Sequence, residues 1–508
     1  MDKKVRVRFA PSPTGPLHCG GVRTAFFNYL FAKRHGGDFL LRVEDTDSER
    51  EVDGAVDYIV ESFKWLGIMP NEGYGIGGDH GPYIQSERKD IYKKYVDILV
   101  ESDNAYYAFD TKDELEAMRV RFEAEGVNGG YTGVVRQHMK NSTTLSKSDV
   151  DARMESGEPY VIRFKIPRAE NIKFKDEVRG WVTFNTRDLD DKVIWKSSDG
   201  LPTYHLANVI DDHLMEITHV IRGEEWVPAT PLHVLLYKAF GWDLPVYAHL
   251  PLILGEDGKK LSKRHGDIYG YPIFPLTWDY VTHEGKKVHV TGFKDEGYES
   301  DALLNFIVLL GWNPKNNVEF MSIKEMAEIF SLEGINKAGA MFDKKKLHNF
   351  NAHYVRSRDR DDIINMMSDM PMDFFLDMDY DKLDMISKGA VERAIFAKDL
   401  KGSLSYLYNT PTLEGEFKMK NVDEFTSVMS VFISDDFIGD WTSISIKEKL
   451  ESISEGIGLG VGKIMPMLRI ALTGGEPGPQ LPDVMYIIGE DESVSRIKAL
   501  LNKIKELA

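Results

Sequence analysis

Cys19 is the single cysteine in 508 residues, which excludes a disulfide framework and any structural zinc site built on several thiolates. No run of about 18 apolar residues occurs, so no segment is expected to span a bilayer. Positive charge is the scarcer sign: 63 Lys and Arg stand against 81 Asp and Glu, a net charge of −18. That balance disfavours general affinity for nucleic acid, because phosphate binding relies on Lys and Arg. The first fifty residues reverse the trend, with nine Lys/Arg against six Asp/Glu, a local excess of three, so a basic face on an acidic body is compatible with the composition. The start, Met1-Asp2-Lys3-Lys4, passes directly into a strand-like stretch at Val5. An apolar signal core or an Arg/Ser-rich transit helix finds no room there, and a cytoplasmic location is expected. Within residues 8–21 neither the Gly-Lys-Ser/Thr phosphate loop nor the GxGxxG fingerprint occurs.

What is present is an ordinary globular composition, 42% hydrophobic and 28% charged. At roughly 100 to 200 residues per domain, the length implies about three to five domains. Val5 to Phe9 reads as a strand, the Pro-Ser-Pro-Thr-Gly-Pro run at 11–16 breaks it, Val22 to Lys33 has helical spacing, and Phe39 to Val43 reads as a second strand. Strand, helix, strand is the unit of a parallel α/β sheet. From Ala105 to Ala207 a charged helix (Asp113 to Glu123) and short alternating strands (Tyr160 to Ile166, Trp181 to Phe184) suggest an insertion. The α/β pattern resumes and ends near Ala248 to Leu254. After Ser300 nearly every segment has helical character, including Ala302 to Leu310, Val461 to Leu472 and Val494 to Leu507, with a turn-rich linker at Gly474 to Pro482. The expected divisions are 1–104 and 208–257 for a split catalytic domain, 105–207 for the insertion, 258–355 for a basic loop and the region after it, and 356–508 for a helical domain.

Two stretches carry chemistry. Arg8 to Gly21 places His18, Gly20 and Gly21 between a strand and the start of a helix. Backbone N–H groups there attract phosphate, glycines permit close approach, and a histidine can donate to a phosphoryl oxygen. Taken alone, the stretch reads equally as a Pro/Gly connection. Lys259 to Gly266 gathers four Lys/Arg between Gly255, Gly258 and Gly266, where mobile lysines can stabilise charge on a transferring phosphoryl group. Taken alone, it also reads as a solvated charge run.

Together, in this order and spacing, the His-x-Gly element and the Lys-Leu-Ser-Lys loop are the two signatures of class I aminoacyl-tRNA synthetases. The chain resembles the glutamyl-tRNA synthetases of bacterial type. The resemblance runs through Arg8 to Gly21, Thr24 to Asn28, Val43-Glu44-Asp45-Thr46-Asp47, Tyr204 to His213, Ile221 to Trp226 and Lys260 to Gly266. Less specific matches follow at Leu303-Leu304-Asn305, Leu309 to Trp312, Met341-Phe342-Asp343 and Leu468 to Gly474.

The resemblance implies a class I Rossmann-like parallel-sheet catalytic domain with an inserted α+β, acceptor-binding domain, followed by an all-helical anticodon-binding half. It implies that glutamate is activated by ATP, with Mg²⁺ bridging phosphates, and passed to tRNA(Glu). His18, Gly20, Lys260 and Lys263 are the expected catalytic residues. ATP would meet His18, Gly20, Glu225, Trp226, Lys260 and Lys263. Glutamate would meet Arg8, Ala10, Ser12, Glu44, Tyr204, Asn208 and Arg222. Two carboxylates and one ammonium call for two cations, Arg8 and Arg222, and one anion, Glu44, with Arg8 expected on the side-chain carboxylate. Glutamine would set NH₂ donors against guanidinium donors and be rejected. A monomer is the family expectation.

Some relatives hold zinc in the insertion through several cysteines. Around Tyr106 to Asp110 and Tyr131 to Arg136 this chain has none, so no zinc is expected. Cys19 replaces the usual aliphatic residue after the histidine and reads as a small buried side chain. Glu44 to Asp47 also reads as a helix N-cap with acids favoured by the dipole. The segment from Gly266 to Glu299 is longer than the family norm, with no function attached to it. The alternatives are glutaminyl-tRNA synthetase, an enzyme charging a modified base within tRNA, and a synthetase-like tRNA-binding regulator. The helical end disfavours the first two, and intact His18, Gly20, Lys260 and Lys263 disfavour the third.

Overall fold

The computed structural model describes residues 3–47, 50–126, 129–367, 371, 374–375, 378–413, 421–434 and 440–507, with the backbone alone for residues 263, 264, 267 and 507. The chain divides into two compact units, 1–296 with 303–346, and 297–302 with 347–508. The second unit therefore begins at Leu347, nine residues before Arg356.

In the first unit, strands β1 (Arg6–Phe9), β2 (Asp38–Leu41) and β3 (Glu72–Gly73) pair in parallel in that order. Helix α1 (Cys19–Arg34) connects β1 to β2 and buries Val22, Ala25, Phe26, Phe27, Leu30 and Phe31 at helical spacing. All residues of β1 and β2 are buried, as expected for strands covered on both faces. The chain then forms β4 (Ala105–Ala108), β5 (Val161–Phe164), a hairpin of β6 (Asn171–Asp176) and β7 (Gly180–Asn185), β8 (Val193–Lys196) and β9 (Leu201–Pro202). Of these, β4, β5, β8 and β9 make an antiparallel sheet of their own, order β4-β5-β8-β9. The hairpin does not stay with that sheet. It joins the parallel pair β10 (His219–Gly223) and β11 (Val246–Leu250), in the order β10-β11-β6-β7. The stretch read as one insertion thus contributes two strands to the main sheet system, because the apolar face of β6 (Ile172, Phe174) completes the core that holds Tyr247 and Val220.

Around Tyr106 and Tyr131 a buried polar network ties the insertion together. Asp191 accepts from the Tyr106 hydroxyl at 2.6 Å and from the backbone N–H of Ile166 at 3.0 Å, with Arg136 Nε 2.8 Å away. Arg163 lies 3.9 Å over the Tyr131 ring.

Strand β1 abuts β10, since the Thr218 N–H donates to the Arg6 carbonyl at 2.9 Å. The carboxyl ends of β1, β2, β10 and β11 therefore open onto one side, the place where an open parallel sheet binds ligands. The long segment after Gly266 forms an antiparallel hairpin, Trp278–Val281 with Lys287–Val290. It braces the α/β core: Trp278 stacks on Tyr58 at 5.0 Å, the Tyr58 hydroxyl donates to the Leu276 carbonyl at 2.7 Å, and the Ile273 carbonyl receives the Cys19 N–H at 2.8 Å. That last bond satisfies an otherwise orphan N–H at the start of α1.

The second unit is helical, with spans such as Tyr380–Val391, Val422–Ser434, Ser443–Gly456, Met465–Thr473, Leu481–Ile488 and Glu490–Leu507. Its core includes Ile386, Phe425, Met429, Leu450, Leu468, Met485, Ile497 and Leu500. Of the turn-rich stretch 474–482, residues 474–480 lie between two of these helices, and Leu481 and Pro482 open the second. The final helix also buries Arg496, whose Nη1 donates to the carbonyls of Tyr406 and Leu472, both at 2.7 Å.

Candidate active site

At the carboxyl ends of these strands lies a cleft of about 260 Å³. It is lined by Arg8, Ala10, Ser12, His18, Gly20, Glu44, Tyr204, Asn208, Arg222, Glu225, Trp226 and Lys260. Every residue singled out from sequence is therefore in one place except Lys263, whose side chain lies outside the described residues.

One end is built on α1. His18 is its N-cap, and the ring Nδ1 accepts from the Gly20 N–H at 3.0 Å. With Nδ1 used as acceptor, the proton of the neutral ring sits on Nε2, which is then a donor. Gly20 is glycine because the ring lies over it: a Cβ there would stand 2.7 Å from His18 Cε1. Lys260 approaches from a tight turn rather than a loose loop. Leu254 bridges to Lys260, the Leu261 N–H bonds to Ile253 at 2.8 Å, and Gly258 turns at φ +74. The Lys260 ammonium is 3.2 Å from Glu225. Residues Lys263 to Tyr269 then form a short helix, and His265 Nδ1 accepts the backbone N–H of Ser262 at 2.9 Å.

The other end is a charge network. Arg8 binds Asp212 through both Nε (2.9 Å) and Nη2 (3.1 Å). Arg42, fully buried, donates to Asp212 at 2.8 Å and to Glu44 at 2.9 Å. Asn208 also donates to Glu44 at 3.0 Å. Asp211 behind them accepts from Gln85, Arg88 and Tyr92 at 2.8, 2.7 and 2.8 Å. Arg8, Arg42 and Arg88 are thus matched by Glu44, Asp211 and Asp212, three guanidinium groups against three carboxylates. Burial pushes the Glu44 carboxyl up, opposed by Arg42, while Asp212, although buried, is held down by Arg8 and Arg42.

Arg222 differs from Arg8, because its partners are neutral: His249 Nε2 at 3.1 Å, Tyr204 hydroxyl at 3.2 Å and Thr230 hydroxyl at 2.9 Å. Trp226 packs against Tyr204 with ring centroids 4.4 Å apart and is 37% exposed at the edge of the cleft, where its ring is of a kind suited to a planar base. Arg42, Asp211, Asp212, Thr230 and His249 carry no role in the sequence reading, although Asp211 and Asp212 fall within one of its matching stretches. A charged pair inside an apolar helical pattern was the only visible signal.

The N-cap reading of 44–47 depends on residues 48 and 49, which lie outside the described residues. Asp45 accepts from Ser86, through its N–H at 2.8 Å and its hydroxyl at 2.5 Å, pinning the loop beside Glu44. Cys19 is buried, and burial pushes its thiol up to about 12. Among the described residues, no group of three His, Cys, Asp or Glu side chains is arranged to hold a metal ion, and no helix is long and apolar enough to cross a membrane.

A split parallel α/β sheet with a helix N-terminus and lysine turn at its mouth defines a nucleotide-dependent enzyme of the class I synthetase type. Residues 4–349 match the family described as tRNA synthetases class I (E and Q), catalytic domain, and residues 363–501 match the anticodon binding domain family. Glutamate–tRNA ligases of Bacteroides thetaiotaomicron and Flavobacterium johnsoniae are 45% and 46% identical, each alignment covering 99% of this chain and 100% of the relative. Among solved structures, a glutamate tRNA ligase from Elizabethkingia meningosepticum, in complex with its amino acid, superposes with a TM-score of 0.88 at 43% identity, covering 98% of this chain and 99% of that one. The glutamate-tRNA synthetase of Elizabethkingia anophelis gives 0.86 at 44%, covering 98% and 100%. The chain belongs to the glutamate–tRNA ligases, the bacterial glutamyl branch of the class I tRNA synthetases.

Proposed function

We propose that the enzyme joins L-glutamate to tRNA(Glu) in two steps within this cleft. A carboxylate oxygen of glutamate attacks the α-phosphorus of ATP. The bond from that phosphorus to the bridging oxygen breaks, and pyrophosphate leaves. The 2′-hydroxyl of the terminal adenosine of tRNA then attacks the carbonyl of the mixed anhydride, and AMP leaves with the phosphate oxygen. Mg²⁺ enters with the triphosphate as part of the substrate. The cleft carboxylates Glu44 and Glu225 are already engaged by Arg42 with Asn208 and by Lys260, so they offer no cage for a resident ion.

His18 Nε2–H, at the positive end of α1, binds a phosphoryl oxygen, and Lys260 and Lys263 stabilise the negative charge that grows there. Trp226 and Glu225 border the nucleotide. Arg8 takes the side-chain carboxylate, Arg222 supplies the second cation, and Glu44 receives the ammonium with Ala10, Ser12, Tyr204 and Asn208 shaping the pocket. The observation that carries this reading is the adjacency, in one cleft, of His18 and Lys260 and of a pocket in which the Arg222 charge is bonded to neutral partners alone among the hydrogen bonds described. A guest amide in place of the carboxylate would leave that charge unpaired, which favours glutamate over glutamine as substrate.

The insertion contacts the acceptor end and the helical unit reads the anticodon, by stacking splayed bases on aromatic or arginine planes. The enzyme acts as a cytoplasmic monomer. Aminoacylation of purified tRNA(Glu) and tRNA(Gln) with labelled glutamate, and with labelled glutamine as control, tests the proposal. No labelled glutamate on either tRNA refutes it. A truncation from Leu347 onward that charges tRNA undiminished refutes the role of the helical unit.

A further inference from the structure

The two cationic residues of the amino-acid pocket are held in opposite ways. Arg8 is clasped by a carboxylate, Asp212, through two nitrogens. Arg222 is clasped by neutral acceptors, and its nearest anion stands one side chain further back. Asp176, the last residue of β6, is fully buried. Its Oδ2 receives the His249 Nδ1 proton at 2.6 Å and the His249 backbone N–H at 3.1 Å. Its Oδ1 receives the N–H groups of Val178 and Arg179 at 3.0 and 2.8 Å. With Nδ1 donating to Asp176, His249 carries its lone pair on Nε2, which accepts Arg222 Nε–H at 3.1 Å. Thr230 is fixed in the same sense. Its hydroxyl proton goes to the Trp226 carbonyl at 3.0 Å, so its oxygen accepts from Arg222 Nη2 at 2.9 Å.

We propose that Asp176 and His249 are positioning residues for Arg222, fixing its guanidinium through an uncharged imidazole so that the full positive charge is kept for a substrate carboxylate. The proposal deepens the reading of the cleft as a glutamate pocket and rests on it. A carboxylate bonded directly to Arg222 would occupy the planar fork that a substrate carboxylate needs. Withdrawn behind a histidine, the same anion orients the arginine without competing for it. The register supports the arrangement: Arg222 and His249 are direct partners in the parallel pair β10–β11, and Asp176 enters from the neighbouring strand β6. This accounts for the recruitment of the 171–185 hairpin to the main sheet, where its last inward side chain closes the relay.

Asp176→Asn tests the idea with minimal change of shape. An amide can donate to His249 Nδ1, which moves the imidazole proton to Nε2 and sets it against Arg222 Nε–H, donor against donor. The KM for glutamate is expected to rise about tenfold or more, while the KM for ATP and the unfolding temperature stay near wild type. His249→Leu removes the acceptor and has the same effect on the two KM values, with a lower unfolding temperature because buried Asp176 loses its imidazole partner. His249→Gln, which keeps an acceptor oxygen for Arg222, recovers part of the loss. Three results overturn the proposal: a glutamate KM within twofold of wild type in both Asp176→Asn and His249→Leu, KM values for glutamate and ATP that rise in parallel, or a Gln variant no better than Leu. Wild-type protein that fails to charge tRNA with glutamate overturns the reading of the pocket and this proposal with it. Normal wild-type charging with an inert relay overturns the proposal alone.

Discussion

Replacing Gly20 by alanine separates the chemistry of this cleft from its stability. The added Cβ would stand 2.7 Å from His18 Cε1 and 3.0 Å from Nδ1, so the ring has to swing away and the N-cap bond from Gly20 N–H is lost. Losing a cap costs about 1 kcal/mol. Alanine in place of glycine within a helix returns up to about 1 kcal/mol. The two nearly cancel, and the unfolding temperature is expected to move by no more than about 4 °C. Activity does not share this cancellation, because His18 Nε2 leaves the position from which it meets a phosphoryl oxygen. One preorganised donor is worth about a hundredfold to a thousandfold in rate. Thermal unfolding followed by circular dichroism, set beside charging of tRNA with labelled glutamate, gives both readouts on one preparation. His18→Ala should lose a similar factor, and the double variant little more than either single one. A Gly20→Ala enzyme charging at the wild-type rate refutes the ring-over-glycine argument. An activity loss matched by a fall of more than about 8 °C means that folding, not chemistry, was damaged.

Arg8→Ala should lower kcat/KM for glutamate by a few tens to a few thousandfold, the equivalent of about 2 to 5 kcal/mol for truncating a buried charge pair, with the KM for ATP unchanged; equal use of glutamate by the variant removes Arg8 from the pocket. Asp211→Ala leaves Arg88 and Arg42 without their shared buried anion and should cost about 3 to 5 kcal/mol in urea unfolding, against less than about 1 for Lys260→Ala, whose pair with Glu225 is half exposed. Cys19, with its thiol pushed up to about 12, should resist a thiol reagent at pH 8 in native protein and react fully once unfolded; rapid native labelling would contradict its burial. Burial depresses His205 and His219 to about 4 and lowers His233 further, so these rings are neutral when folded and protonate on unfolding. Their contribution is present above about pH 6.5 and is lost as pH falls toward 4, so the unfolding midpoint at pH 5 should lie below that at pH 7.5, and a higher midpoint at pH 5 would refute this.

Much of this architecture was legible in the chain. The alternation of apolar and basic residues in Val5 to Phe9, the Pro/Gly break and the helical spacing after it give β1, the turn and α1 within a few residues. Paired signatures bring His18, Gly20 and Lys260 into one argument before any coordinate is known. The polar core was less legible. Arg42 directly follows the buried strand β2 and Asp211 with Asp212 lie on the inner face of a helix, where hydrophobic periodicity has no place for charge. Only partners 123 to 204 positions away, such as Arg88 for Asp211 and Arg8 for Asp212, explain them. The hairpin at 171–185 read as part of an insertion because period-2 alternation says which face is apolar but not which sheet it will join. Arg496, buried against two carbonyls in a helix whose apolar stripe was plain, escaped for the same reason.

The amino-acid pocket is stitched from stretches that emerge far apart during synthesis: Arg8, Arg42 with Glu44, Arg88, Asp211 with Asp212, and Arg222 beside His249. Until residues 211 and 212 are out of the ribosome, Arg8 and Arg88 lack the carboxylates that clasp them, and β1 has no neighbour on its β10 side. A shorter fragment lacks both the Asp212 clasp on Arg8 and the His249 acceptor for Arg222.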